Sequence, residues 1–315
     1  MAQNSIAVVD LAEFRGSAAG RARFIDQLGT AMADTGFFAV EGHGIKAELI
    51  AQAYAEAAAF FMLPEAEKKS YERRDLHGQR GYTAFGREHA KDAAYPDLKE
   101  FWHVGQELPS GHPLASVYPA NLWPTGMAGF KAVYTDLFRQ LDDCASDLLT
   151  ACALAIGEQA TRFSALAKDG NSILRLIHYP PIGPDVHPQS IRAAAHEDIN
   201  LITLLPAATA AGLELLERNG SWRPIHAAPG QIIVDAGDML QNITNGLFKS
   251  TTHRVVNPGN SRERRFSLPF FVHPRSEVDL TPLPSCIALT GGALAFPKIT
   301  AGDYLQQRLA EIGLK

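Results

Sequence analysis

Three short stretches carry residue types that could do chemistry together: His196-Glu197-Asp198, His253 within Ser250-Thr251-Thr252-His253-Arg254-Val255, and Arg265-Phe266-Ser267. Two imidazoles and one carboxylate on one face of a metal ion leave its other positions open, the arrangement associated with non-haem Fe(II) oxygenation. His196 and Asp198 are two residues apart, so on a β-strand both side chains leave the same face and can reach one ion. Glu197 then points away and is not a ligand. The third donor has to come from a distant strand. His253 lies 55 positions beyond Asp198, in a stretch from Ser250 to Asn257 whose β-branched residues suit a strand.

Arg265 adds anion binding. A guanidinium grips a carboxylate through two parallel hydrogen bonds and stays charged at any working pH. Ser267, two residues along a strand, faces the same way and adds a hydroxyl donor. Arg265 has a competing reading as a surface salt bridge, given Arg262, Glu263 and Arg264 beside it, but Phe266 and Leu268-Pro269-Phe270-Phe271 mark the start of a buried strand. Asp198 has one as a turn cap, although a carboxylate beside His196 on one strand face is costly without a cation. Most of the eleven histidines must be ordinary. His43 reads as a hydrogen-bonded packing residue.

Elements must hold these residues in place. Ile6 to Leu11 reads as an opening strand, Ala18 to Asp34 as a helix, Phe37 to Val40 as a strand, and Ala47 to Met62 as an Ala-rich helix that ends before Pro64. The polar, glycine-containing stretch from Lys68 to Asp97 reads as a loop over the active site. Ala128 to Gly157 has the apolar stripe of a long scaffold helix, through Phe130, Val133, Leu137, Leu141, Leu148 and Leu149. From Asn171 the pattern changes to short β-rich runs: Ile173 to Tyr179, Ile199 to Leu205, Leu213 to Glu217, Gln231 to Asp235 and Phe266 to Val272. Strands of this length between Pro, Gly and Asn turns indicate a sandwich or barrel.

Further segments carry a family resemblance. Thr35-Gly36-Phe37-Phe38-Ala39-Val40-Glu41-Gly42-His43-Gly44-Ile45, Phe60-Phe61-Met62-Leu63-Pro64, Arg80-Gly81-Tyr82, Asp97-Leu98-Lys99-Glu100, His178-Tyr179-Pro180-Pro181 and the tail from Thr300 to Leu309 occur in the order found in the isopenicillin N synthase-like family of Fe(II)/2-oxoglutarate-dependent oxygenases. The chain resembles that family over nearly its whole length.

The resemblance implies a mainly β protein with flanking helices: a double-stranded β-helix, or jelly roll, with a helical N-terminal region. The implied units are 1–125, an N-terminal α/β region; 126–170, the scaffold helix; 171–285, the catalytic core; and 286–315, a C-terminal strand and helix. It implies that His196, Asp198 and His253 hold Fe(II), and that Arg265 and Ser267, assisted by Tyr179, bind the distal carboxylate of the co-substrate 2-oxoglutarate. O2 would then be used to hydroxylate a small molecule, with release of succinate and CO2. Many relatives have an Asn two residues before the tyrosine, where this chain has Ile177; Arg175, two positions earlier again, either compensates or is a strand-edge charge. Relatives often touch substrate from the positions of Tyr82, Phe85, Arg87 and His103. Phe101 is read instead as a core residue. An anionic substrate would be consistent with Arg87 or Arg175 in the pocket.

Composition limits the alternatives. A chain of 315 residues, 46% hydrophobic, can bury a sizeable core. A net charge of −5 gives no basic surface for a phosphate backbone, so nucleic acid is not an expected partner. No stretch reaches the ~18 apolar residues of a membrane span, and Met1-Ala2-Gln3-Asn4-Ser5 lacks the start of a secretion signal. Cys144, Cys152 and Cys286 show no metal-type pairing and fit a reducing cytoplasm as small core residues. Three other functions use some of the same residues. An Fe(II) oxidase of the same fold would dispense with 2-oxoglutarate, a Zn(II) hydrolase would leave Arg265 and Ser267 unexplained, and a non-enzymatic metal-binding jelly roll would not need open metal positions.

Overall fold

The computed structural model describes residues 6–88, 95–260 and 262–311. Strand β1 (Ala7–Asp10) ends where the Asp10 carboxylate accepts from the Ala12 amide and caps the short helix α1 (Leu11–Arg15), so Leu11 is helical rather than the last strand residue. Helix α2 (Ala18–Asp34) is capped by Ser17 and buries Phe24, Leu28 and Met32. Strand β2 (Phe37–Glu41) and helices α3 (Ala47–Phe61) and α4 (Glu65–Lys69) follow, with Pro64 separating the two helices.

The expected loop from Lys68 to Asp97 is not loop throughout. Gly81–Thr83 forms strand β3 and pairs antiparallel with β4 (Glu100–Gly105), while residues 89–94 lie outside the described residues. Helix α5 (Phe130–Ala155) packs against α2 and α3 and against the sheet, burying the stripe its periodicity marks. A single turn, α6 (Ser164–Ala167), leads into the β region.

That region comprises β5 (Ile173–Tyr179), β6 (Ala193–His196), β7 (Ile202–Pro206), β8 (Leu213–Leu216), β9 (Trp222–Pro224), β10 (Ile232–Ala236), helix α7 (Asp238–Ile243), β11 (His253–Val255), β12 (Arg265–Ser267) and β13 (Phe270–Val272). The run from Phe266 to Val272 is two strands, not one. Pro269, which has no amide hydrogen to donate, breaks it; its carbonyl still accepts from Arg175 N at 2.9 Å. Helices α8 (Pro284–Leu289) and α9 (Ala301–Glu311) complete the described chain. The strand expected after residue 286 is absent from the described residues, where only an isolated Asp279–Thr300 bridge forms.

The strands make two sheets. The larger runs β1-β2-β10-β7-β13-β5-β4-β3, with β12 also on β5, and the smaller runs β6-β11-β8-β9. From β5 onward the chain passes back and forth between the sheets, which is the double-stranded β-helix, or jelly roll. Phe37, Ile177, Tyr179, Leu215, Ile233 and Val255 pack between the sheets, and a larger apolar core lies between the larger sheet and α2, α3 and α5. No helix among the described residues is long and apolar enough to cross a membrane.

Candidate active site

Strand β6 ends on His196 and β11 begins on His253, and the antiparallel register sets these two residues opposite each other. Each ring is fixed from within its own strand: His196 Nδ1 lies 2.7 Å from Ala194 O and His253 Nδ1 lies 3.2 Å from Thr251 O. Donation from Nδ1 to a carbonyl leaves the lone pair on Nε2, the form in which imidazole ligates a metal. Asp198 does not share the strand with His196; it lies two residues past the end of β6, where the chain turns toward β7. Its carboxylate still reaches the same point, with Oδ1 3.8 Å from His196 Nε2 and 3.7 Å from His253 Nε2. The three donor atoms lie within 4.8 Å of one another. These separations are too long for hydrogen bonds and are those of donors around a shared cation. The donor set, two nitrogens and one oxygen with an open side, fits Fe(II).

Asp198 is supported from behind. The Thr203 hydroxyl donates to its Oδ2, the Asp235 carboxyl hydrogen-bonds it, and its own carbonyl accepts from Asp238 N at 2.7 Å. Burial alone would raise the Asp198 pKa, but the two histidines and Thr203 outweigh it and hold the carboxyl below its ordinary value. Burial and the Asp198 charge push Asp235 strongly upward, so it is the protonated partner. His253 is driven down to about 4 by burial and stays neutral. Glu197 turns away and accepts from the Thr252 hydroxyl, as its position between the two donors requires.

Two cavities meet at the triad. The smaller, of about 70 Å3, runs between the sheets and is lined by Tyr179, Arg265, Ser267, Ile177, Leu205 and Leu213 with His196, Asp198 and His253. Arg265 is 2% exposed. Its Nε donates to Ala210 O at 3.1 Å and its Nη1 to Ser267 Oγ at 3.2 Å. Across the ladder it faces Tyr179, whose ring centre is 4.9 Å from the guanidinium. No carboxylate among the described residues pairs with it, so it is a buried cation at the end of a narrow cleft and not a surface salt bridge.

The larger cavity, of about 260 Å3, opens on the other side of His196 and Asp198. Its wall on β4 and β5 holds His103 and Arg175, and helix α9 closes it with Leu305, Arg308 and Leu309. The helix is tied down at Asp238, which accepts from the Tyr304 hydroxyl at 2.8 Å and lies 3.7 Å from Arg308.

Of the residues expected at the substrate, the structure brings only His103 to the cavity. Tyr82 faces the opposite side of the sheet, buried against Phe60, with its hydroxyl donating to Glu100 in a network with Lys68 and His178. Phe85 is 46% exposed and lines neither cavity. Arg87 borders a separate shallow depression with Glu72 and Arg74. Phe101 is core, as read, stacked under Arg175 at 4.2 Å. Arg175 is no strand-edge charge. Missed from the sequence were Glu88, Gln79, Asn171, His273 and the α9 residues, which reach the cavity from far along the chain, and Thr203 and Asp235 behind Asp198.

Comparison with known proteins agrees with this geometry. Residues 170–274 match the 2OG-Fe(II) oxygenase superfamily, and residues 6–126 match the N-terminal region of the non-haem dioxygenase in morphine synthesis. A 2-oxoglutarate-Fe(II) type oxidoreductase of Aspergillus fumigatus is 32% identical over 84% of this chain and 80% of its own length. The chain belongs to the 2-oxoglutarate-Fe(II) oxygenase family. Among solved structures of the family, a 2OG-Fe(II) oxygenase family protein from Caulobacter crescentus is 39% identical with a TM-score of 0.86, covering 97% of this chain and 98% of its own. A full-length Neurospora crassa protein, solved in complex with alpha-KG and thymine, is 28% identical with a TM-score of 0.86 and 98% coverage of both chains. As a family member, the protein is an oxidoreductase dependent on Fe(II) and 2-oxoglutarate.

Proposed function

We propose that His196, Asp198 and His253 hold the Fe(II), that Arg265, Ser267 and Tyr179 seat the distal carboxylate of 2-oxoglutarate in the smaller cavity, and that the larger cavity admits a small molecule for hydroxylation. One observation carries this reading: the triad stands where two cavities meet, and only the smaller offers a guanidinium with no carboxylate partner among the described residues. Iron with O2 and 2-oxoglutarate supplies the chemistry, in which the keto acid loses CO2 to become succinate and one oxygen atom enters a substrate C–H bond.

The chain's own residues position and exclude. Ala194 O and Thr251 O hold the two histidines in the ligating tautomer, and Thr203 aims Asp198. Arg265 fixes the far end of the co-substrate through paired donors, with Ser267 holding the guanidinium in line. Leu305 and Leu309 cover the larger cavity and exclude water from it. That the similar Neurospora crassa structure holds alpha-KG and thymine together supports a small-molecule substrate here.

The test is anaerobic titration of the Fe(II)-loaded protein with 2-oxoglutarate, followed by the visible metal-to-ligand charge-transfer absorption of a chelated keto acid. The band is expected, and its midpoint should move to much higher 2-oxoglutarate in Arg265→Ala. Bound iron with no band at any concentration would overturn the co-substrate assignment and favour the oxidase.

A further inference from the structure

The two guanidiniums nearest the triad are treated in opposite ways. Arg265 has no counter-charge among the described residues, which suits a seat for an anion. Arg175 is fully compensated. Its Nη1 and Nη2 donate to the two Glu88 oxygens at 3.0 and 3.1 Å, Lys99 lies 2.7 Å from Glu88, and Lys99 in turn donates to Asp97 at 2.8 Å. Positive and negative groups therefore alternate along the wall of the larger cavity, and all four are buried or nearly so. Burial would raise the Glu88 pKa, but Arg175 and Lys99 outweigh it and keep the carboxylate ionised.

The next group along is neutral. Arg175 Nε donates to His103 Nε2 at 2.5 Å, while His103 Nδ1 faces Gly78 O at 2.5 Å, which assigns the proton to Nδ1 and leaves no charge on the ring. Arg175 is also held between the rings of Phe101 at 4.2 Å and Phe271 at 5.2 Å, so it cannot swing out to meet an anion. Gln79, Asn171 and His273 add uncharged hydrogen-bonding groups, and Glu197 and Arg308 add one charge of each sign. Apart from Asp198, the described residues of the cavity wall include three carboxylates and three cations.

We infer that the larger cavity selects an uncharged, hydrogen-bonding small molecule, and that Glu88 sets this selectivity by cancelling the charge of Arg175. Of the five guanidinium N–H groups, three serve His103 and Glu88, leaving two to donate to a neutral acceptor such as a carbonyl. An anion would meet Glu88 at the same contact, and a cation would meet Arg175. The anionic substrate that Arg87 or Arg175 suggested is thereby disfavoured. This inference rests on the reading of the larger cavity as the substrate site of an Fe(II)/2-oxoglutarate oxygenase.

Benzamide, benzoate and benzamidine share one shape and differ in charge, so they serve as probes. Each is titrated anaerobically into the Fe(II)/2-oxoglutarate form, and its dissociation constant is read from the perturbation of the charge-transfer band. In the wild type benzamide should bind best. Glu88→Gln should tighten benzoate by about ten-fold or more, and Arg175→Gln should do the same for benzamidine, each leaving benzamide little changed. Glu88→Asp, which keeps the charge, should retain the wild-type order. A merely structural effect would move all three probes together. The inference is overturned if benzoate binds the wild type as well as benzamide does, or if neither charge-removing variant gains its matching ion, including by failing to respond at all. The arginine variant keeps the test open if Glu88→Gln does not fold. Loss of the band before any probe is added would instead strike at the co-substrate reading.

Discussion

The His253 ring stands across the β6–β11 pair from the His196 ring, with centres 4.4 Å apart, and Asp198 reaches both from beyond the strand end. Because no ladder holds Asp198, its aim depends on Thr203. Thr203→Val should keep the fold and weaken iron binding by about 10- to 100-fold, the usual cost of losing an outer partner of a metal ligand. Asp198→Ala should abolish binding. Chelator competition measures both, and full iron occupancy in Asp198→Ala would sink the ligand assignment.

Arg265 is buried and, in the bound state, would share its charge with the co-substrate alone. Removing one member of a buried charge pair costs about 2–5 kcal/mol, so Arg265→Ala should raise the 2-oxoglutarate KM by roughly 30-fold or more. Arg265→Lys keeps the charge but loses the fork and should fall between. Steady-state succinate formation gives the KM, and an unchanged value in Arg265→Ala would place the co-substrate elsewhere.

Tyr82 and Glu100 belong to the scaffold. Glu100→Gln leaves Lys68 buried without its counter-charge and should cost about 3–5 kcal/mol of stability, whereas Tyr82→Phe loses one hydrogen bond to a charged group, worth about 1.5–3 kcal/mol. Denaturant unfolding measures both. If Tyr82→Phe left stability intact but altered substrate KM, the residue would belong to the substrate site after all.

His273 makes stability depend on pH. Burial holds its folded-state pKa down to about 4, against about 6.5 in an unfolded chain. As pH falls from 6.5 toward 4 the unfolded chain takes up a proton that the folded chain refuses, so stability is lost over that window, by about 3 kcal/mol. His273→Gln should flatten the stability–pH curve of the metal-free protein by that much between pH 7 and pH 4. Parallel curves would mean that the histidine protonates without cost.

Helix α9 contributes Leu305 and Leu309 to the larger cavity and nothing to the smaller one. Removing residues 301–315 should raise substrate KM by about 10- to 100-fold, from about 1.5–3 kcal/mol of lost contact per leucine, and should leave the 2-oxoglutarate KM nearly unchanged. Succinate should then form in excess of hydroxylated product. Equal loss of both affinities would show that the helix supports the whole site.

Much of this architecture is legible in the chain because it rests on local rules. The spacing of His196, Asp198 and His253 and the alternation of Arg265 and Ser267 can be read from residue type and strand period. Helices α2, α3 and α5 and strand β5 follow from periodicity. What cannot be read depends on long-range partners. Glu88 meets Arg175 across 87 residues, and nothing local marks that contact. Tyr82 reads as a lid residue because it follows a glycine-containing polar stretch, yet its strand pairs with β4 and turns it to the far side of the sheet. The two-residue spacing puts Asp198 on the strand with His196, but the chain leaves the ladder at His196.

Strand β5 carries Arg175 at the substrate end and Tyr179 at the co-substrate end. At about 3.3 Å per residue, these four steps act as a ruler of roughly 13 Å. A rigid ruler has a consequence for divergence. Changes around Ile173 and Arg175 can reshape what is oxidised while leaving the oxidant's grip at Tyr179 and Arg265 untouched, so new substrates can be tried without first losing the reaction.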